Sequence, residues 1–187
     1  MSLKVLCLHG CCQNGEAIAH YMKNLIKICE SLANIDFVFL DAQYDHSVKG
    51  RHWFPEQLEI EKIGKIAISD VTWGPTLDYV EEAITTQQPD VVIGFSQGAN
   101  VLDTYLSKKD SYGIKRAVLF SGYSLMDDER KPRDLPVLVV HGTNDEVVPF
   151  ELYPRYPHTR LIEHTKGHAL PSSKPVLREI AKFIVGV

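Results

Sequence analysis

The chain has 187 residues, of which 44% are hydrophobic, and a net charge of −4. This length suffices for one well-buried core and is short for two, so we expect a single domain over residues 1–187. The acidic balance and the lack of a long basic run argue against nucleic acid as a partner. No apolar stretch approaches the roughly 18 residues of a membrane span, and the first residues lack the apolar region of a signal peptide.

All four cysteines lie within the first 29 residues. Their spacing is not that of a zinc site, and the eight histidines form no H-E-x-x-H or similar pattern, so we expect no metal and no cofactor. Cys7 and Cys29 fit buried positions, which suits a reducing compartment and predicts a cytoplasmic protein. The sequence leaves open whether the adjacent Cys11 and Cys12 are structural or sensitive to oxidants.

Six short apolar runs have the composition of buried parallel strands. They are Lys4–Leu8, Ile35–Leu40, Val91–Phe95, Arg116–Phe120, Val137–Val140 and Arg160–Glu163. Segments with helical periodicity lie between them. This alternation predicts an α/β protein with a mostly parallel sheet of about six strands and helices on both faces.

Four helices are expected, and a residue suited to cap a helix precedes three of them. Asn14 precedes the first, Thr76 the second and Ser173 the fourth; the third follows Ser96. The apolar period predicts which side chains face the core: Ile18, Met22, Leu25, Cys29 and Leu32; Leu77, Val80 and Ile84; Ala99, Leu102 and Leu106; Leu177, Ile180, Ala181 and Ile184.

Residues 41–73 interrupt this regularity. The segment holds Tyr44, Trp53, Phe54 and Trp73 among glycine, proline and charged residues, with no long periodic run. An insertion of this length is usually functional or disordered, and its aromatic content argues against disorder. Two interpretations stay open: a wall over a functional site, which we favour, or a hydrophobic cluster that anchors a loop.

The most informative motif is Gly94-Phe95-Ser96-Gln97-Gly98, which follows a predicted strand and precedes a predicted helix. This is the arrangement of the α/β-hydrolase nucleophile elbow, a strained turn that exposes the serine hydroxyl at the edge of a sheet. The alternative is a glycine-rich turn in some other parallel-sheet protein. The interpretation therefore depends on which residues follow along the chain.

A nucleophilic serine needs an adjacent base, and the base needs an orienting carboxylate. In this fold the partners follow in the order serine, acid, histidine. Asp145 comes after the fifth predicted strand, and we prefer it to Glu146 because its side chain is shorter and it lies nearer the strand. A loop-capping role is the alternative for Asp145.

Three histidines compete for the role of base. His168 follows the last predicted strand, and the neighbouring Gly167 lets its loop approach the site. His164 is expected in or near that strand, and His158 precedes it. Since parallel strands end at the same edge of a sheet, we expect His168 to meet Ser96 and Asp145 there.

An acyl-transfer site also needs two backbone N–H groups that stabilise the oxyanion. Gln97, directly after the serine, is the expected first donor, and Cys11, in the loop after the first strand, is the expected second. A nucleophilic role for Cys11 or Cys12 is the disfavoured alternative. His9 is expected to brace this loop.

These segments together resemble the FSH family of serine hydrolases, the small cap-less α/β-hydrolases that include fungal esterases and the human ovarian-cancer-associated hydrolase. The matching pieces are Leu6-Cys7-Leu8-His9-Gly10, Gln13-Asn14-Gly15, Gly94-Phe95-Ser96-Gln97-Gly98-Ala99, Ser121-Gly122-Tyr123, His141-Gly142-Thr143-Asn144-Asp145 and Gly167-His168. The resemblance implies an α/β-hydrolase fold without a large cap, carboxylesterase or thioesterase activity, and Ser96, Asp145 and His168 as the triad. Lys166 departs from the pattern, because many relatives have glycine there.

We therefore expect a small ester or thioester as substrate, cleaved through an acyl-enzyme on Ser96. The aromatic insertion suggests a pocket for an apolar acyl group, with Trp53, Phe54, Tyr123 and Leu170 as candidate lining residues. The alternative function is a non-catalytic binding module that keeps the fold. The sequence gives neither the physiological substrate nor the oligomeric state.

Overall fold

The computed structural model describes residues 2–45, 49–54, 73–123, 134–148 and 159–187. The elements in chain order are β1 (Leu3–Leu8), α1 (Gly15–Leu32), β2 (Ile35–Leu40), β3 (Tyr44–Asp45), β4 (Arg51–His52), α2 (Trp73–Gln87), β5 (Val91–Phe95), α3 (Gln97–Lys108), β6 (Arg116–Phe120), β7 (Val137–Gly142), β8 (Thr159–His164) and α4 (Lys174–Val185). The expected six strands of the main sheet and the four helices are confirmed, and most of these strand ends agree within one residue; the short β3 and β4 were not predicted.

Six strands form a parallel sheet in the order β2-β1-β5-β6-β7-β8. The chain builds outward from β1 in both directions, so the order reverses between β1 and β5. In open α/β sheets such a switch point leaves a crevice at the carboxyl ends of the strands. The loops after β1 and β5 both open on this crevice.

The sheet is covered on both faces, as the alternating pattern predicts. One buried cluster joins α2 and α3 to one face of the sheet, and it includes Trp53 and Phe54. The other cluster joins α1 and α4 to the opposite face. Over the described ranges, the only structure added to these layers is the short antiparallel pair β3–β4, so no large cap is seen.

Two details of the helices differ from the sequence-based expectation. Thr76 does not cap α2, because the helix already begins at Trp73; the Thr76 hydroxyl donates instead to the carbonyl oxygen of Trp53. Leu32 is 44% exposed, because it is the last residue of α1 and projects beyond the sheet-facing stripe. The other side chains predicted to face the core are buried.

Part of the 41–73 insertion can be placed. Residues 41–45 and 49–54 lie beside the loop after β1, and β4 pairs with β3. Residues 46–48 and 55–72 lie outside the described residues, so the expectation of a wall over the site is untested for most of the segment. None of the described helices has the length and apolar character needed to cross a membrane.

The two helix starts at Asn14 and Ser173 give a matched test of capping. The Asn14 side chain accepts a hydrogen bond from the Ala17 N–H at 2.8 Å, whereas the Ser173 side chain makes no capping hydrogen bond. Asn14→Ala should therefore lower the free energy of unfolding by about 1 kcal/mol. Ser173→Ala should change it by less than about 0.5 kcal/mol. Urea unfolding measures both, and equal losses would contradict this account.

Candidate active site

Ser96 occupies a sharp corner between β5 and α3. Its backbone has φ 52° and ψ −116°, a positive-φ conformation that costs energy for a residue with a side chain. The Ser96 N–H donates to Phe120 O at 2.9 Å, and its carbonyl accepts from Asn100 N at 3.1 Å. These backbone bonds hold the corner, and the strained turn predicted from the Gly-x-Ser-x-Gly motif is present.

The two glycines of the motif allow close backbone contacts. A Cβ atom at Gly94 would lie 2.6 Å from the Ala99 backbone, and one at Gly98 would lie 2.5 Å from His9 O. Neither position therefore accepts a larger side chain without movement of the neighbouring backbone. Gly98 in particular lets the start of α3 lie against the loop after β1.

Asp145 lies in the loop after β7 with its side chain fully buried. Its Oδ1 accepts from the backbone N–H groups of Val147 at 3.0 Å and Val148 at 2.9 Å. Burial alone would raise the pKa of Asp145, but these N–H donors and His168 together lower the pKa below its usual value. The carboxylate is therefore ionised at neutral pH, and the exposed Glu146 has no comparable setting.

His168 lies between Asp145 and Ser96. Its Nδ1 is 2.8 Å from Asp145 Oδ2, and its Nε2 is 2.8 Å from Ser96 Oγ. Because an ionised carboxylate can only accept, Nδ1 carries the proton and Nε2 is left to accept from the serine hydroxyl. The ring also contacts Phe95, with centroids 5.2 Å apart. The three predicted side chains thus form one continuous hydrogen-bonded chain.

The other two candidate histidines do not join this chain. His164 ends β8, is buried, and its Nδ1 accepts from Lys166 N at 3.3 Å. Burial lowers the pKa of His164, so it is neutral at neutral pH. His158 lies outside the described residues.

The backbone donors expected at the oxyanion site flank Ser96. Gln97 is the first residue of α3, where helical N–H groups have no partner within the helix. Cys11 follows Gly10, and a Cβ atom at Gly10 would lie 3.3 Å from Ser96 Cβ, so this loop packs against the serine. Over the described part of the chain, neither the Cys11 N–H nor the Gln97 N–H donates to a protein acceptor.

His9 braces the loop, as expected. Its Nε2 accepts from Ala42 N at 3.0 Å, so Nδ1 carries the proton and donates to Gly10 O at 2.7 Å. Burial lowers the pKa of His9, and the imidazole is therefore neutral. A fixed neutral ring ties the end of β1 to the residues that follow β2.

Trp53 has a position that the sequence did not predict. It is fully buried, so it offers no surface to a substrate here; its indole N–H donates to His9 O at 2.8 Å. Its backbone N–H donates to Gln97 Oε1 at 3.0 Å. The expectation that Trp53 lines a pocket is thus corrected: it links the two chain segments that carry the predicted oxyanion donors.

Arg51 is a second bracing residue that sequence reasoning missed. Its backbone N–H donates to Gln13 O at 2.7 Å, and its carbonyl accepts from Cys12 N at 2.9 Å. Its guanidinium donates to the carbonyl oxygens of Ala42 and Gln43. No local motif signals such a role, because all of these partners come from other loops.

The remaining candidate pocket residues have different surroundings. Phe54 is 2% exposed and packs edge to face against Trp73, with ring centroids 4.7 Å apart, so it also belongs to the core. Tyr123 is buried, and its backbone N–H donates to Asn100 Oδ1 at 2.8 Å. Leu170 is the one of the four that borders the cavity next to His168.

That cavity has a volume of about 510 Å³ and lies between α1 and the loop that carries His168. Its apolar lining comprises Leu25, Phe95, Ala169, Leu170, Pro171 and Leu177. This volume is typical of small-molecule sites. A second cavity of about 630 Å³, bordered by Arg116, Arg160 and Arg178, lies at the opposite edge of the sheet and includes no residue of the hydrogen-bonded chain.

The described residues present no cluster of metal-ligating side chains. They contain no group of three or more histidine, cysteine, aspartate or glutamate side chains that could hold an ion. Asp145 and His168 are already engaged with each other and with Ser96.

This combination of fold and geometry defines an α/β-hydrolase. Residues 1–180 match the model of the serine hydrolase (FSH1) family, and the chain belongs to that family. It is 32% identical to a protein called Esterase CG5412 from Drosophila melanogaster, with 91% of this chain and 69% of that protein covered. It is 26% identical to Family of serine hydrolases 3 from Saccharomyces cerevisiae, with 98% and 84% covered.

Solved structures share the fold at low sequence identity. SOBER1 from Arabidopsis thaliana has a TM-score of 0.73 and 18% identity, with 98% of each chain covered. Acyl-protein thioesterase 2 from Zea mays has a TM-score of 0.68 and 18% identity, with 99% of this chain and 93% of that chain covered. Family membership, with the esterases among these relatives, makes this chain a serine hydrolase.

Gly142 gives a test of the contact between the loop that carries Asp145 and the loop that carries His168. A Cβ atom there would lie 2.5 Å from Gly167 O, so Gly142→Ala must push the two loops apart. Because Asp145 and His168 lie on these loops, esterase kcat should fall by about 10²-fold or more. Nitrophenyl ester hydrolysis measures the loss, and circular dichroism checks the fold.

Gly74→Ala is the matched control. Among the described residues, nothing lies within 4 Å of its Cβ position, which is in the first turn of α2, so activity should be unchanged. Full activity in Gly142→Ala would show that the close contact between the loops is not needed.

Proposed function

We propose that this chain hydrolyses carboxylic esters or thioesters through an acyl-enzyme on Ser96. The observation that carries the proposal is the chain from Asp145 through His168 to Ser96 Oγ, with both donor–acceptor distances at 2.8 Å. A nucleophile, its base and the residue that orients the base are the elements that acyl transfer requires.

His168 Nε2 removes the hydroxyl proton as Ser96 Oγ attacks the acyl carbonyl carbon. Asp145 stabilises the imidazolium that forms and keeps the proton on Nδ1. The backbone N–H groups of Gln97 and Cys11 stabilise the oxyanion, and His168 then gives its proton to the leaving alcohol or thiol. Water repeats the sequence on the acyl-serine and releases the acid.

The cavity beside His168 supports the proposal that the acyl group of the substrate is apolar. Leu25, Leu170 and Leu177 contribute an apolar part to a lining that also includes polar residues, and each methylene of a substrate buried against that part contributes about 0.8 kcal/mol. No charged side chain lies among these leucines, although Lys23 and Lys166 border the cavity. We therefore assign the acyl chain to this cavity, with either an oxygen or a sulfur leaving group.

We further propose a cytoplasmic location and a small-molecule substrate. All four cysteines are free thiols, and Cys7 and Cys29 are fully buried. Free thiols suit a reducing compartment. Fractionation of cells that express the tagged chain tests the location, and recovery in a secreted or organelle fraction would contradict it.

The assignment of the triad predicts a loss of kcat of different size for two variants. Ser96→Ala removes the nucleophile, so kcat should fall by about 10⁶-fold. In Asp145→Asn, the side-chain oxygen keeps the Val147 and Val148 hydrogen bonds, and the amide donates to His168 Nδ1. This places the proton on Nε2, which can no longer accept from Ser96, so kcat should fall by about 10⁴-fold.

Nitrophenyl ester hydrolysis measures these rates, and a fluorophosphonate probe tests the nucleophile directly. The probe should label the wild type and not Ser96→Ala. A wild-type protein that neither labels nor turns over esters would instead be a binding module that keeps the fold. Ser31→Ala, at an exposed serine near the end of α1 and outside the cavity lining, is the matched control and should label fully.

The acyl cavity predicts a chain-length preference. For acyl-nitrophenyl esters and acyl-CoA thioesters, kcat/KM should rise by up to about fourfold per methylene until the cavity is full. Leu170→Trp should shorten the best chain, because the larger ring fills the cavity. Phe183→Trp, which borders the remote cavity, should leave the profile unchanged. The same profile in wild type and Leu170→Trp would exclude this cavity as the acyl site.

A further inference from the structure

Cys11 and Cys12 form a close pair of thiols that the proposed reaction does not use. Their Sγ atoms are 3.1 Å apart, which is contact distance without a covalent bond. Both residues are partly exposed, in contrast to the fully buried Cys7 and Cys29. The two sulfurs are therefore within reach of small reagents and of each other.

The position of the pair links it to the proposed oxyanion site. Cys11 contributes its backbone N–H there, and Cys12 is the next residue. The loop is held tightly: Cys12 N donates to Arg51 O at 2.9 Å, and a Cβ atom at Gly50 would lie 2.5 Å from the Cys12 carbonyl carbon. Because the loop is held in this way, a change in the conformation of the Cys11–Cys12 peptide has to be taken up by the few residues beside Ser96.

We propose that Cys11 and Cys12 form an oxidation site at which a peroxide closes a disulfide and switches hydrolysis off. The switch rests on the proposed function, because it acts through the Cys11 N–H. The disulfide itself is a separate chemical event that can be detected whether or not the protein turns over a substrate.

Closing this ring has to distort the backbone. Adjacent Cα atoms are about 3.8 Å apart across a trans peptide. Disulfide-bonded cysteines usually need Cα atoms about 4.4–6.8 Å apart. Cys12 already has φ 61°, a strained value for a residue with a side chain, so little freedom remains to absorb the change. The intervening peptide, which carries the Cys11 carbonyl and the Cys12 N–H, must rotate. Because the Cys12 N–H is held by Arg51 O, the change passes to the Gly10–Cys11 peptide, and the Cys11 N–H moves away from the oxyanion position.

The two sulfurs have different parts in the reaction. Either sulfur can be the donor in the contact, and burial together with the neighbouring Cys12 raises the pKa of Cys11 to about 12, which disfavours Cys11 as the first nucleophile. We assign the first attack to Cys12. Its sulfur bonds to one peroxide oxygen as the O–O bond breaks, and the departing hydroxide takes up the Cys12 thiol proton, which gives a sulfenic acid and one water.

Cys11 then attacks the sulfenic sulfur. The S–S bond forms as the S–O bond breaks, and the Cys11 proton leaves with the departing hydroxide as water. In total, two thiols and one peroxide give a disulfide and two waters, so the sulfurs are oxidised and the peroxide is reduced. A strained disulfide has an oxidising potential, and a dithiol reductant should reopen it readily.

The test treats the reduced wild-type protein with hydrogen peroxide and follows both mass and esterase activity. Peptide fragmentation should place a loss of two hydrogens at Cys11–Cys12 and not at Cys7, which lies on the same tryptic peptide. kcat/KM should fall by about 10²-fold, the effect of losing one oxyanion donor. A dithiol reductant should restore it.

Cys12→Ser and Cys29→Ala are the paired variants. Cys12→Ser keeps the backbone bond to Arg51, so its untreated activity should be close to wild type, and peroxide should cause no reversible loss. Cys29→Ala removes a remote thiol and should respond like the wild type. In untreated wild type, phenylarsine oxide should bridge the two sulfurs and inhibit, with release by a dithiol.

Different results overturn the switch, the oxidation site and the proposed function. A disulfide that forms without loss of esterase activity overturns the switch. If peroxide causes the same irreversible loss of activity in the wild type and in Cys12→Ser, the switch is overturned as well. Absence of the disulfide in peroxide-treated protein overturns the oxidation site itself. If the reduced wild type has no hydrolase activity, the proposed function fails, and with it the switch; the mass measurement still decides whether the oxidation site exists.

Discussion

The close approach of backbones at Gly98 and Gly142 is the constraint on which the rest of the site depends. At Gly98 the start of α3 lies against the loop after β1, and at Gly142 the end of β7 lies against the loop after β8. A side chain at either position would separate loops that have to meet within hydrogen-bond distance. The 2.8 Å contacts of His168 follow from this packing, because side chains as short as serine and aspartate reach little beyond their own backbone.

A second layer of contacts keeps these loops in place. Trp53 bonds to His9 O and to the Gln97 side chain, while Arg51 bonds to the backbone of Cys12 and Gln13 in the loop that contains Cys11. Both residues come from the insertion between β2 and α2. Of the two interpretations of that insertion, its described part corresponds to the one in which aromatic residues anchor a loop. The anchored loop is also the one proposed to bind the oxyanion, so this structural role has a functional consequence.

The sequence was sufficient to predict the sheet, the parallel direction of its strands and the three side chains that meet at its carboxyl edge. Strands such as Val91–Phe95 are short apolar runs bounded by polar loops, and this signal is local. Their parallel direction then brings Ser96, Asp145 and His168 to one edge, whatever the details of packing. That these residues are catalytic stays a prediction. The bonds of Thr76 to Trp53 O and of Trp53 to His9 O were not predicted, because each joins residues far apart along the chain and no local pattern contains both partners.

What the amino-acid sequence determined by itself was the set of elements, the strained corner at Ser96 and the chemical identity of the loop residues, because glycine spacing and apolar periodicity act over a few residues. What only the tertiary structure decided was which groups touch. Burial of the Asp145 carboxylate, the tautomer of His9, the bracing by Trp53 and the 3.1 Å approach of the Cys11 and Cys12 sulfurs all depend on how separate segments pack. Packing is a property of the whole chain, since each contact is set by several loops at once.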